Sequence, residues 1–342
     1  RGWKDAVMRI VTNSYFNLKN ISYVIIATYA SFAKSETCSR IEELSASTLL
    51  IADEAHNMGS TLMLKAMKRV VFQRRIGLSA TPHRQYDPQG NRSINDFFGI
   101  KDHYTFEYSM AEAIEKGVLC KYRYFPHVVN LNEDEMEQYL ILSKQIAKFF
   151  HDDTEMFDDD PVLTALLLKR KRIIHKAVNK LVKFKEIIND LYREKGNLKY
   201  TMIYAPEGVC PDDSYYNVVD DRDEIDDNGD EIPLINLYTM LVAETNKYTT
   251  VEQFTARETD RDRILRDFAN GVTDVLVAMK CLDEGVDVPR AENAIFCAST
   301  GNPRQFIQRR GRILRIHENK SMAYIHDLVV VPYVDYDIES FN

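Results

Sequence analysis

The apolar run Leu49-Leu50-Ile51-Ala52 stops abruptly at two acids, Asp53 and Glu54, which are followed by Ala55 and His56. A short unbroken apolar run suits a strand buried on both faces, the usual state of a strand in a parallel sheet. In open α/β folds ligands bind beyond the carboxyl ends of such strands, so the pattern predicts two carboxylates at a ligand-binding edge. Taken alone, the same residues also fit a solvated turn that starts a helix.

Three further stretches follow in order: Gly77-Leu78-Ser79-Ala80-Thr81-Pro82, Asp283-Glu284-Gly285-Val286-Asp287-Val288-Pro289 and Gln308-Arg309-Arg310-Gly311-Arg312-Ile313-Leu314-Arg315. Ser79 and Thr81 end a short apolar segment before a proline, which predicts hydroxyls at a strand end near the acids. Arg309, Arg312 and Arg315 recur at i, i+3 and i+6, a spacing that predicts one helix face. Planar guanidinium is suited to phosphate charge; a solvated basic helix is the alternative.

In this order and at these separations the four stretches resemble motifs II, III, V and VI of the superfamily 2 DEAD/DEAH-box helicases and translocases. Asn179-Lys180-Leu181, residues 261–268, 282–289 and 308–315 resemble in particular the xeroderma pigmentosum group B-like DNA helicases and the related res subunits of type III restriction enzymes, over about residues 23–330. The resemblance implies two RecA-like α/β lobes that bind ATP and Mg²⁺ between them and move on double-stranded DNA. In that family's terms Asp53 holds Mg²⁺ through water, and Glu54 orients and deprotonates the attacking water. Gln308 faces His56 and the nucleotide; Gly285 and Asp287 line the nucleotide from the second lobe, and Arg312 and Arg315 are arginine fingers. Ser79 and Thr81 couple phosphate occupancy to the second lobe, while Thr28, Thr255 and Lys280 grip the nucleic-acid backbone by position. Grips of that kind touch phosphate and sugar, so binding is expected to be largely sequence-independent. An RNA-directed ATPase of the same superfamily and a non-catalytic nucleic-acid scaffold stay open, as do partners from restriction, defence or repair systems.

None of the thirteen glycines is followed by lysine, so the Gly-Lys-Ser/Thr loop that wraps nucleotide phosphates is not in this sequence. The expectation is a piece of a longer enzyme, with that loop N-terminal to Asp53 and the 342-residue chain inactive alone. The net charge of −8 argues against a nucleic-acid motor until its distribution is considered. Residues 151–160 hold six acids and no Lys or Arg, and residues 220–231 hold eight acids and one Arg; the remainder carries 43 basic against 38 acidic residues. Two acidic loops on a mildly basic body are therefore expected. The five cysteines are far apart with no Cys-x-x-Cys pair, which argues against a disulfide framework or zinc knuckle and for a reducing cytoplasm. No apolar run approaches the roughly 18 residues of a membrane span.

Residue patterns predict a first lobe over 1–121, a connecting strand and helical segment over 122–196, and a second lobe over 197–342. Strands are expected at 23–27, 47–52, 75–79, 122–131, 200–205, 248–254, 274–278, 294–298 and 323–330. Helices are expected at 58–70, after the capping box Ser109-Met110-Ala111-Glu112, at 133–150 and 162–195, at 234–244, and from Asp260 to Gly271. The 162–195 helix carries Lys169, Arg170, Lys171, Arg172, Lys176, Lys180, Lys183 and Lys185. That run reads either as a solvated face or as a contact for a DNA backbone.

Overall fold

The computed structural model describes residues 2–16, 22–84, 87–151, 156–157, 160–210, 232–255, 258–279, 288–298 and 303–332. The acid-rich stretch 220–231 and most of 151–160 lie outside them. The chain forms two compact units, residues 1–107 and 108–342. Among the described residues no helix is long and apolar enough to cross a membrane.

In the first unit, helix α1 (Trp3–Tyr15) packs Val7 and Val11 on Leu44 of α3 (Ser35–Ser45). Strands β1 (Leu49–Ala52) and β2 (Arg74–Gly77) pair in parallel, with Ile51 opposite Ile76 and Ala52 opposite Gly77. Helices α2 (Tyr29–Phe32), α4 (Thr61–Met67) and α5 (Pro88–Phe98) pack around them through Phe32, Met63, Phe97 and Phe98. Gly77 lies flat against this layer, since a Cβ there would stand 2.9 Å from the Phe98 ring. Leu49, Ile51, Ile76 and Leu78, by contrast, are exposed, Ile51 to 59%. Residues 23–27 keep the alternation of a strand, with Tyr23 and Ile25 packed on the Val7, Val11 and Leu44 cluster and Val24 and Ile26 exposed. They do not form the expected strand, because no strand among the described residues pairs with their backbone.

The second unit is a six-stranded parallel sheet of β3 (Lys121–Asn130), β4 (Thr201–Tyr204), β5 (Val251–Phe254), β6 (Val275–Ala278), β7 (Asn293–Phe296) and β8 (Met322–Val331). Their spatial order is β3-β8-β7-β4-β6-β5, with every neighbouring pair parallel. Strands β4, β6 and β7 are buried at every residue, as a sheet covered on both faces requires. One face takes Phe184 and Ile188 of α9 (Val178–Lys195) and Tyr238 and Leu241 of α10 (Leu234–Thr245). The other takes Ile264 and Phe268 of α11 (Arg261–Ala269) and Ile313 of α12 (Pro303–Ile313). This is the parallel α/β class, with helices on both faces of the sheet, that the alternating pattern implied.

Helix α6 (Met110–Glu115) has the predicted capping box between Ser109 and Glu112. Sequence patterns put this helix in the first lobe and residues 122–131 in a connector, whereas both belong to the second unit. The reason is pairing: β3 runs in register with β8 over ten residues, from Lys121 opposite Met322 to Asn130 opposite Val331. The expected helix 162–195 is two helices, α8 (Pro161–Lys176) and α9, broken at Ala177, whose ψ of 120° is extended. The freed N–H of Val178 donates to Glu135 Oε1 at 2.9 Å, from the first turn of α7 (Glu133–Ala147). Lys180 is not on a solvated face. It is fully buried and donates to the Cys297 carbonyl at 2.8 Å; burial pushes its ammonium down to about 8 and the Cys297 thiol well up.

Candidate functional site

Strand β1 delivers Asp53 to the carboxyl edge of the first unit's sheet. Leu78 N–H donates to Ala52 O and Ala55 N–H donates to Leu78 O, each at 2.8 Å, so the acid turn and the segment after β2 are stitched together at one edge. The turn is sharp. Glu54 has φ 48° and ψ 51°, the left-handed region that costs a side-chain-bearing residue about 1–2 kcal/mol, and its N–H donates to Asp53 Oδ1 at 3.0 Å. A 3-10 helix, Ala55–Gly59, follows at once.

That turn brings the Glu54 carboxylate back over His56. Glu54 Oε2 lies 3.3 Å from His56 Nδ1, and the same nitrogen lies 3.0 Å from Ser79 Oγ. Ser79 Oγ in turn accepts the Thr81 N–H at 3.3 Å. The structure therefore gathers Asp53, Glu54, His56, Ser79 and Thr81, which two separate stretches of sequence supply. His56 is 3% exposed, so the imidazole is fixed in the middle of this chain of polar groups.

Two residues that sequence reasoning missed complete the arrangement. Tyr29 O–H donates to the Asp53 carbonyl, and burial, followed by the charges of Asp53 and Glu54, pushes its phenol up to about 12. Arg84 Nη1 donates to His56 O at 3.0 Å while its Nε meets Asp87 Oδ2 at 2.6 Å. Its backbone exchanges two bonds with the Asn91 side chain, at 2.7 and 2.9 Å. Gly59 allows this approach, since a Cβ there would meet Arg84 Cδ at 2.6 Å. The one available signal was position: Tyr29 adjoins Thr28, and Arg84 follows the Ser79–Pro82 stretch closely.

Among the described residues no group of three or more His, Cys, Asp or Glu could enclose a metal ion. Mg²⁺ in phosphate-transfer sites rests on one or two carboxylates, waters and the substrate's own oxygens, a set to which Asp53 could contribute. Thr28 and Thr255 have local partners. Thr28 Oγ1 caps α2, accepting the Ser31 N–H at 3.2 Å, and Thr255 Oγ1 donates to Glu258 Oε1 at 3.2 Å. Lys280, Gly285 and Asp287 lie outside the described residues.

In the second unit α12 carries Gln308, half buried, and the arginines. The expectation that Arg309, Arg312 and Arg315 share an open helix face is corrected in two respects. Arg309 is 4% exposed; it donates to Ala298 O at 3.0 Å and lies 5.1 Å over the Tyr204 ring. Arg315 lies past the helix end, exposed, in an antiparallel bridge with Leu119. Arg310 faces inward as well, donating to Tyr122 O–H at 3.2 Å and stacking 5.1 Å from the Phe306 ring. An i, i+3 series on a helix packed against a sheet places its first member in the core, and the helix stops before its third. Of the predicted set, Arg312 is partly buried and Arg315 is exposed.

Residues 235–317 match the helicase conserved C-terminal domain. The chain is 26% identical, over 98% of its length and 70% of the relative's, to the DNA 3'-5' translocase XPB2 of Sulfurisphaera tokodaii. Among solved structures it resembles the ATP-dependent type ISP restriction-modification enzyme LlaBIII bound to DNA, with a TM-score of 0.50 and 14% identity over 95% of this chain and 21% of that one. It also resembles the helicase domain of Pyrococcus furiosus Hef, with a TM-score of 0.44 and 17% identity over 96% and 84% of the two chains. In its four ordered sequence stretches, its match to the helicase C-terminal domain over residues 235–317 and its alignment with XPB2, the chain is similar to the superfamily 2 helicases of the xeroderma pigmentosum group B and type III restriction kind.

Proposed function

We propose that this chain is the motor portion of a translocase that hydrolyses ATP to move along duplex DNA. The observation that carries the reading is the Glu54–His56–Ser79 chain at 3.3 and 3.0 Å beside Asp53, at the carboxyl edge of a parallel pair of strands. Asp53 supplies the carboxylate for Mg²⁺, and Glu54 takes the proton of the water attacking the γ-phosphate. The left-handed backbone at Glu54 sets the direction of that carboxylate, and its cost is offset by the hydrogen bonds on either side of the turn. His56, bonded to both the base and Ser79, links the state of Glu54 to the Ser79–Thr81 segment. Arg312 and Arg315 supply positive charge to the transition state, and Mg²⁺-ATP supplies the phosphoryl group transferred to water. DNA is the favoured track because a relative that aligns along nearly the whole chain is named a DNA translocase.

The test is ATP turnover of the full-length protein, purified alone and with equal concentrations of duplex DNA or duplex RNA. The reading expects DNA to stimulate turnover at least tenfold and RNA to leave it near the basal rate. Stimulation by RNA alone makes the chain an RNA-directed ATPase. No ATP binding in the full-length protein makes it a scaffold.

A further inference from the structure

Lys320 is remote from the predicted site residues in the sequence, yet its ammonium joins the backbone on which two of them are carried. It is 6% exposed. Its Nζ donates to Pro289 O at 2.8 Å and to Ile313 O at 2.7 Å. Pro289 closes the stretch 283–289 that includes Asp287, and Ile313 is the last residue of α12, directly after Arg312.

A cation at the carboxyl end of a helix is favoured by the helix dipole, so the bond to Ile313 O alone would be an ordinary helix-end contact. The second bond goes beyond that. It spends another of the three ammonium donors on a carbonyl 24 residues earlier in the chain, although burying an ammonium is costly. A tight turn presents the side chain for this: Lys320 N–H donates to His317 O at 2.9 Å, and residues 317 and 320 form an antiparallel bridge. Arg290 Nη1 reinforces the junction, donating to Asn319 O at 3.2 Å. The helix end is pinned from another side by Cys120 N–H, which donates to Leu314 O at 2.8 Å.

We propose that Lys320 is a positioning residue whose ammonium locks the turn at 288–291 to the carboxyl end of the arginine helix, so that this turn and the helix end bearing Arg312 move as one piece. The functional half of this rests on the ATPase reading; the mechanical half does not.

The experiment is residue-resolved amide hydrogen exchange on the wild-type chain and on Lys320→Met and Lys320→Gln. Two amides report the two sides of the lock: Ala291 N–H, bonded to Val288 O, and Leu314 N–H, bonded to Arg310 O. Lys320→Met is expected to speed exchange at both by at least tenfold while the β6 amide of Val277 keeps its wild-type rate. Gln, with one amide group that reaches one carbonyl at a time, is expected to fall between and serves if the Met variant does not fold. Faster exchange at Leu314 alone would reduce Lys320 to a helix cap and overturn the proposal, as would no change at either amide. In the full-length protein Lys320→Met is expected to lower kcat at least tenfold with the KM for ATP changed less than threefold. A wild-type kcat alongside coupled exchange would overturn the functional half. A wild-type protein without ATP turnover would sink the ATPase reading instead, leaving the exchange result to decide the lock.

Discussion

Replacing Arg309 by Met should weaken the second unit more than replacing Arg312 or Arg315 by Ala, whereas the Ala variants should lose activity. Arg309 is held in the core by a bond to Ala298 O and by the Tyr204 ring. A charged hydrogen bond contributes about 1.5–3 kcal/mol and a desolvated cation–π contact about 2 kcal/mol. Met restores part of the stem's packing and relieves the cost of burying a guanidinium, which offsets about half of that loss. A net loss of about 2 kcal/mol remains. With a urea m-value of about 3 kcal/mol/M for a unit of this size, the unfolding midpoint should fall by about 0.7 M. The assay is urea unfolding followed by circular dichroism, with ATP turnover measured on the same samples. Arg312→Ala and Arg315→Ala should each shift the midpoint less than Arg309→Met and lose about 10³-fold in turnover, the usual worth of an arginine finger. An Arg309→Met protein with the wild-type midpoint but finger-like loss of turnover would refute the division made by the structure.

Three further expectations follow from other places in the fold. The buried Lys180, lowered to about 8 in the folded chain from an ordinary 10.5, binds fewer protons than the unfolded chain between those values. Stability should therefore rise by about 3 kcal/mol as pH increases from about 8 to 10.5, with the full penalty present below 8. The groups facing it are the Cys297 thiol, pushed up by burial, and the carboxylates of Asp327 and Glu135; Lys180→Met should remove this rise, and midpoints that climb equally in both proteins would contradict it. Gly77→Ala, which sets a methyl 2.9 Å from the Phe98 ring, should cost about 1–3 kcal/mol in the first unit by overpacking, checked by the same unfolding assay. The exposed Leu49, Ile51, Ile76 and Leu78 should make the 342-residue chain bind a hydrophobic dye such as ANS and associate at high concentration, and Ile51→Lys should reduce both.

The sequence made the central strands of the second sheet legible because they are short, largely apolar runs between turn residues, as Thr201–Tyr204 and Val275–Ala278 are. Caps were equally plain at Ser109 and Asp260, where side chains accept backbone N–H groups three residues on. Pairing was not legible. Residues 23–27 alternate like a strand but pair with no strand among the described residues, and β3 finds its partner about 200 residues away. The break at Ala177 has no Gly or Pro to mark it; what makes it possible is the carboxylate of Glu135, supplied by another helix. In the site the acids, His56 and Ser79 were legible as residue types in order, whereas Tyr29 and Arg84 enter through tertiary contacts with main-chain carbonyls. For the same reason sequence patterns put Lys180 and Arg309 on open faces. The carbonyls that draw both cations inward, those of Cys297 and Ala298, stand side by side at the end of β7.

The central claim, that Glu54 is the base of an ATP hydrolase, is tested most directly by Glu54→Gln in the full-length protein. Gln keeps the length and shape of the side chain and removes the proton acceptor. The account predicts ATP binding within about twofold of wild type, measured with a fluorescent nucleotide, and turnover lower by at least about 100-fold, the lower end for general-base catalysis. Turnover close to the wild-type rate would contradict it and place the base on another residue.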